Sequence, residues 1–304
     1  MKIAITWDYE LFFGERSGSV NQCMIEPTNQ LLSLADQYQV PFTFFPDAGS
    51  FLKFESEASF HDDLALIKAQ IKQWDIKGHE TGLHIHPHWE KSTWKDQEWK
   101  HDLSFYKLSD FPDNEAAEIV TRYANYMNAL IVNPIKSYRA GGWCAQPFSA
   151  IAEAMKASGI QFDSSLFKGG KNTTAPYYYD YTNAPESSHW KFTADPSVLD
   201  HEGFFIELPI ASVTYSPLFF WQLFVLGRLF PDQHKPIGNG LPAKGGGRKK
   251  DFLTRSHSLC VSADGYFATQ LSRSLKAAER NKEPFMVIIG HPKALTKFGL
   301  RKLE

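Results

Sequence analysis

Cysteine is scarce in this chain: Cys23, Cys144 and Cys260 are the only three among 304 residues. An odd number at wide spacing fits reduced thiols better than a disulfide framework and lacks the spacing of a cysteine metal site. An excess of charge of one sign is missing too. With 32 basic and 34 acidic residues the formal net charge is -2, so no bulk field favours nucleic acid or an acidic membrane as the main partner. Long hydrophobic runs are also absent. The longest, 218–230 (LFFWQLFVLGRLF), is broken by Gln222 and Arg228 and is shorter than the roughly 20 residues of a membrane span. It reads as a buried helix or, if exposed, as an apolar surface for a lipid-linked substrate or a partner chain. The opening MKIAITWDYE is acidic too early to hold the apolar core of a secretory signal. The expected location is cytoplasmic.

What is present is a regular alternation. Ile3 to Trp7 is an apolar run ending in acids, and Thr28 to Gln39 follows with Leu31, Leu32 and Ala35 at helical spacing. PFTFF at 41–45 leads to a helix from Asp62 to Trp74 stopped by Gly78, and TGLHIH forms the next strand. Further along, the pattern predicts helices over 114–132, 148–157 and 266–282, and strands at SYRAGG, IQFDSSL, FFIELPI and MVIIG. Seven strands alternating with helices point to an α/β fold with parallel pairing, and a barrel uses them without leaving edges. The expectation is one catalytic domain over 1–304, with an irregular insertion at 168–203 and a flexible Gly/Pro/Lys-rich loop at 232–255. That loop is either solvated or a lid whose Lys249 and Lys250 meet a phosphate.

The polar residues that stand out fall at strand ends, where such folds place function. GLHIHPH sets His84, His86 and His88 at alternate positions. Nitrogens sharing a Zn²⁺ lie about 2.0 to 2.1 Å from it, whereas an extended stretch of this length separates its ends by about 13 Å. Either His84 and His86 bind as neighbours, or the chain turns at Pro87 and returns His88 to His84. TWDYE supplies carboxylates: Asp8 and Glu10 share one strand face. His291 ends MVIIG and suits general-acid work. Arg139, inside SYRAGGW, calls for an anionic partner. Taken singly, each is more often a packing or surface residue; the combination favours metal chemistry.

Together these residues resemble the polysaccharide deacetylase family, which includes nodulation-factor and peptidoglycan deacetylases and is also called family-four carbohydrate esterases. The match runs the length of the chain in order: TWDYE resembles the first acidic motif and KGHETGLHIHPH the GHExGxH motif with a second histidine four residues on. SYRAGGW, FDSS and IIGHP stand where the arginine, aspartate and final histidine motifs belong. The resemblance implies a distorted seven-stranded (β/α) barrel and a divalent metal, Zn²⁺ foremost, held by Glu10, His84 and His88. It implies that Asp8 is the general base, Arg139 orients Asp8, Asp163 steadies Arg139, and His291 protonates the leaving amine.

His86, Trp89 and Trp143 are then the candidate substrate contacts. The chain departs from the common pattern in two places. Tyr9 separates acids that are usually adjacent, which leaves Asp8 and Glu10 exchangeable. Gly141, Gly142 and Trp143 replace the usual proline and aromatic residue of the oxyanion-binding segment. The YELFFG opening looks like a branch from surface-polysaccharide gene clusters, so the implied substrate is an N-acetylated sugar, nucleotide- or lipid-linked. Two rivals stand beside this reading. An amidohydrolase would carry its HxH on the first strand and its Asp on the last, the reverse of this order. A non-catalytic glycan-binding relative would have had no need to keep Asp8, Arg139 and His291 together. Trp89, Trp94 and Trp99 serve sugar stacking or packing equally well.

Overall fold

The apolar run that opens the chain becomes a strand, Lys2–Tyr9, whose burial deepens toward its C-terminal end. It runs parallel to Phe285–Gly290, pairing Lys2 with Phe285 through to Trp7 with Gly290. Close approach explains Gly290: a Cβ there would lie 2.3 Å from the Trp7 ring. The computed structural model describes residues 1–242 and 248–304. Their contacts divide the chain into two compact units, Met1–Val40 with Ile210–Glu304, and Pro41–Pro209.

In the first unit, parallel bridges join Ile210 to Val287 and Ser262 to Ile289, while Ser212–Tyr215 pairs antiparallel with His257–Cys260. The helix Glu26–Tyr38 starts with Pro27 in its first turn, buries Leu31, Leu32, Leu34 and Ala35, and stops where Gln39 turns left-handed at φ 53°. The helix expected over 266–282 begins as a 3₁₀ segment, Gly265–Gln270, and becomes α-helical at Leu271–Arg280. The stretch 232–255, read as a loop from its glycines and prolines, carries helices at Pro231–His234 and Arg248–Thr254; the part of that expectation at 243–247 lies outside the described residues. Apolar Phe252 and Leu253 supply the reason, since they pack against the Tyr215, Phe219 and Phe220 core.

In the second unit, Leu83–Ile85, Ser137–Ala140, Phe162–Asp163 and Phe205–Glu207 pair in parallel, with Trp190–Phe192 added antiparallel at the edge. Helix His61–Ile76 buries Leu64, Ile67, Ile71 and Trp74 at spacings of three and four, and Trp74 stacks on Phe44 at 4.3 Å. Helix Asp113–Asn128 buries Ile119, Val120, Tyr123 and Met127 and has Asp113 and Glu115 in its first turn, where carboxylates favour the helix dipole. The fold is therefore α/β with parallel strands. Among the described residues no helix is long and apolar enough to cross a membrane.

Candidate active site

The parallel register of Lys2–Tyr9 and Phe285–Gly290 decides what emerges at their C-terminal ends. Asp8 and Glu10 leave the first strand beside His291, which leaves the second. Both carboxylates are buried, while Tyr9 between them points into the core, where burial raises its phenol pKa well above the ordinary value. His291 Nε2 lies 3.6 Å from Asp8 Oδ2 and 3.8 Å from Glu10 Oε1.

Asp264 holds the imidazole from behind. Its Oδ1 accepts the His291 amide and its Oδ2 accepts Nδ1–H, both at 2.7 Å. A carboxylate only accepts, so Nδ1 carries a proton and Nε2 is the exchanging nitrogen. Burial pulls the His291 pKa down, but the Asp264 charge and hydrogen bond, followed by the Asp8 and Glu10 charges, leave it raised above the usual histidine value. Lys293 adds a buried ammonium whose Nζ donates to Glu10 Oε1 at 2.8 Å and to Leu11 O at 2.6 Å. Asp264 and Lys293 escaped the sequence reading.

In the other unit the three histidines are buried and close. The His84 and His86 rings meet edge-on at 4.8 Å between centroids, and His86 and His88 at 5.3 Å. The chain does turn at Pro87, into the 3₁₀ segment Pro87–Lys91. His84 Nδ1 lies 2.8 Å from Arg139 O; because a carbonyl only accepts, Nδ1 is the donor and Nε2 is the basic nitrogen. A metal-binding histidine needs this arrangement. Gly141 allows the chain to pass under His86, since a Cβ there would lie 2.5 Å from Nδ1. His88 stacks on Tyr106 and meets His101 edge-on.

Arg139 is wholly buried beneath this cluster. Its Nε donates to Ser164 O at 2.8 Å and its Nη2 to Ser164 Oγ at 3.1 Å, with the guanidinium 4.2 Å above the Phe45 ring. Asp163 Oδ1 accepts Ser165 Oγ–H at 2.5 Å, and Ser165 Oγ accepts Ala140 N–H. Register places Glu207 beside Asp163. Burial raises both carboxyls, and the Asp163 charge pushes Glu207 further up, so Glu207 keeps its proton and donates it to Asp163. Glu207, inside IELP, had no local signal to distinguish it.

The aromatic candidates separate. Trp89 is 0 % exposed, donates Nε1–H to Asp47 Oδ2 at 2.5 Å and packs on Trp99 and His101. Trp143 is half-buried, with its ring against Phe167 and its carbonyl accepting Tyr181 O–H. Trp94 and Trp99 face each other across the hairpin Thr93–Lys95 and Glu98–Lys100. Its two-residue turn, Asp96-Gln97, is left-handed at both positions.

No family model and no curated protein matches the chain. Solved structures do. A Mycobacterium smegmatis protein provisionally described as a polysaccharide deacetylase aligns at 16 % identity and TM-score 0.48, covering 99 % of this chain and 81 % of that one. Puue allantoinase aligns at 12 % identity and TM-score 0.49, covering 99 % and 82 %. A peptidoglycan N-acetylglucosamine deacetylase aligns at 15 % identity and TM-score 0.35, covering 55 % and 58 %.

Proposed function

We propose that this chain is a metal-dependent hydrolase that removes the N-acetyl group from an amino sugar, on a seven-stranded distorted barrel. The observation that carries the reading is the meeting of buried Asp8 and Glu10 with partly buried His291 at the ends of two paired parallel strands, with Asp264 fixing the imidazole. Such a cluster serves paired proton transfer better than it serves stability, because buried charges cost folding free energy.

The donor set suits a divalent ion, Zn²⁺ foremost: imidazoles whose outer nitrogen is anchored, as at His84, and a carboxylate. In this reading Glu10, His84 and His88 hold the ion, with His86 toward the substrate or as the alternative third donor. Asp8 is the alternative carboxylate, because Lys293 already engages Glu10 Oε1. The ion would supply Lewis acidity, polarising the acyl oxygen and lowering the pKa of water toward about 7.

The remaining work belongs to the chain. Asp8 accepts the proton of the attacking water. His291, protonated at Nε2 and held by Asp264, delivers a proton to the departing amine. Arg139, fixed by Ser164 and balanced by the Asp163 carboxylate, keeps Asp8 ionised. The substrate is an N-acetylated sugar, nucleotide- or lipid-linked, in bacterial surface-polysaccharide biosynthesis in the cytoplasm. The test is amine release from N-acetylated nucleotide sugars by Zn²⁺-loaded and chelated protein, beside Asp8→Asn. Release that requires metal and Asp8 supports the reading. Equal release by the chelated protein or by Asp8→Asn refutes it.

A further inference from the structure

The apolar run at 218–230 forms the helix Pro217–Leu229, and it is apolar on two sides. Its inner side belongs to the core of the first unit: Phe219 and Phe220 are buried with Tyr215, and Phe252 of the helix Arg248–Thr254 packs on Phe220 at 4.7 Å. Its outer side is exposed and equally apolar. Leu218 (65 %), Trp221 (53 %), Val225 (46 %) and Leu229 (65 %) stand at spacings of three, four and four, and Phe230 (53 %) continues the ridge. A helix apolar all round is normally buried in a large core or in a membrane. This one is 13 residues long, about 20 Å, and cannot cross a hydrocarbon layer of about 30 Å.

Cations edge the ridge although the whole chain is slightly acidic. Arg228 donates Nη1–H to Phe224 O and keeps an exposed head; Lys249 reaches over the Phe224 ring at 5.0 Å, and Lys250 beside it is exposed. Arg255 is matched by Asp251 at 3.6 Å, leaving the exposed Arg228, Lys235, Lys249 and Lys250 against the exposed Asp232. One aromatic and aliphatic ridge with long basic side chains at its border is the pattern of a helix lying in the plane of a bilayer interface, its apolar residues among acyl chains and its cations among anionic headgroups.

We propose that Leu218, Trp221, Val225, Leu229 and Phe230, with Arg228, Lys249 and Lys250, form a docking surface for an anionic lipid bilayer. Binding is reversible and salt-sensitive, since it rests on one short ridge and a few charges screened over about 8 Å at physiological ionic strength. The surface needs no metal and stands or falls apart from the proposed hydrolysis.

The test is co-sedimentation of the full chain with vesicles of phosphatidylcholine alone or mixed with phosphatidylglycerol. Three proteins are compared: the natural chain, Leu218→Gln with Leu229→Gln, and Lys249→Gln with Lys250→Gln. Expected are binding to the anionic vesicles that weakens in high salt, a fall in partitioning of about tenfold or more in the leucine variant, and a smaller fall in the lysine variant. Both variants should melt at the natural temperature, because the altered side chains point outward. No sedimentation with anionic vesicles overturns the proposal, as does binding that ignores both variants. A dimer in analytical ultracentrifugation that the leucine variant abolishes, without vesicle binding, also overturns it and identifies the ridge as a contact between two copies.

Discussion

Acid should destabilise this protein through His101 as pH falls below the ordinary histidine value. Ser92 Oγ–H donates to His88 O at 2.8 Å, so at the 2.9 Å contact with His101 the hydroxyl oxygen accepts and His101 Nδ1 donates. Protonation therefore falls on Nε2, within a ring that meets His88 and Trp89 edge-on at 4.9 Å each. Burial, with the nearby His86 second, lowers the pKa from 6.5 to about 4. The folded state thus binds this proton less readily than the unfolded chain. The stabilising contribution is complete above the unfolded pKa and is lost as pH falls from 6.5 toward 4. At pH 5 the loss is about 2 kcal/mol, and at full protonation about 3 kcal/mol.

The perturbation is His101→Asn, whose side-chain amide can still donate to Ser92 but cannot titrate. Urea unfolding of chelated protein, natural and variant, is measured between neutral pH and about pH 4.5. The natural protein should lose about 2 kcal/mol more than the variant by pH 5. Parallel stability curves for the two proteins would refute the reasoning.

Other outcomes follow from the same contacts. Asp264→Asn removes the charge that raises His291, so an NMR titration should find the imidazole pKa lowered; an unchanged value contradicts the assigned anchor. Gly141→Ala drives a methyl into His86; a competition titration with a chromogenic chelator should find Zn²⁺ affinity unaltered where His88 is the third donor, and a weakening of about 10- to 100-fold would refute that assignment in favour of His86. Arg139→Lys keeps the charge but loses the forked contact with Ser164, and should cost about 2 to 4 kcal/mol in urea unfolding. Glu207→Gln keeps the donor to Asp163 and should be nearly neutral, whereas Glu207→Ala should cost at least about 1 kcal/mol by orphaning a buried carboxylate.

The alternation of apolar runs and amphipathic helices was legible because each is a local pattern. Asp8, Glu10 and His291 could be placed at strand ends because the runs before them stop abruptly. Asp264, Lys293 and Glu207 could not. Their partners lie far along the chain, 283 residues away for Lys293 and Glu10, and no periodicity reports such a meeting. Trp89 follows a histidine cluster and is buried, a placement that adjacency in sequence does not determine. The helices inside 232–255 were hidden by glycine and proline counts, which weigh composition over a window and miss a single buried Phe252. The ridge on Pro217–Leu229 shows the complementary limit: sequence reveals how apolar a helix is, and only the packing of its neighbours reveals which side is left uncovered.

Lys293 gives the first unit a mechanical property. Its ammonium ties Glu10 and Leu11 to the segment that carries His291 two residues earlier. The carboxylate arm and the imidazole arm are thereby splinted together beyond the last strand pair. Two arms joined in this way are expected to move together, so that their separation fluctuates less than either position. Replacing Lys293 with methionine would release that splint and at the same time leave the buried Glu10 carboxylate without its ammonium, so spacing and charge are held by the same side chain.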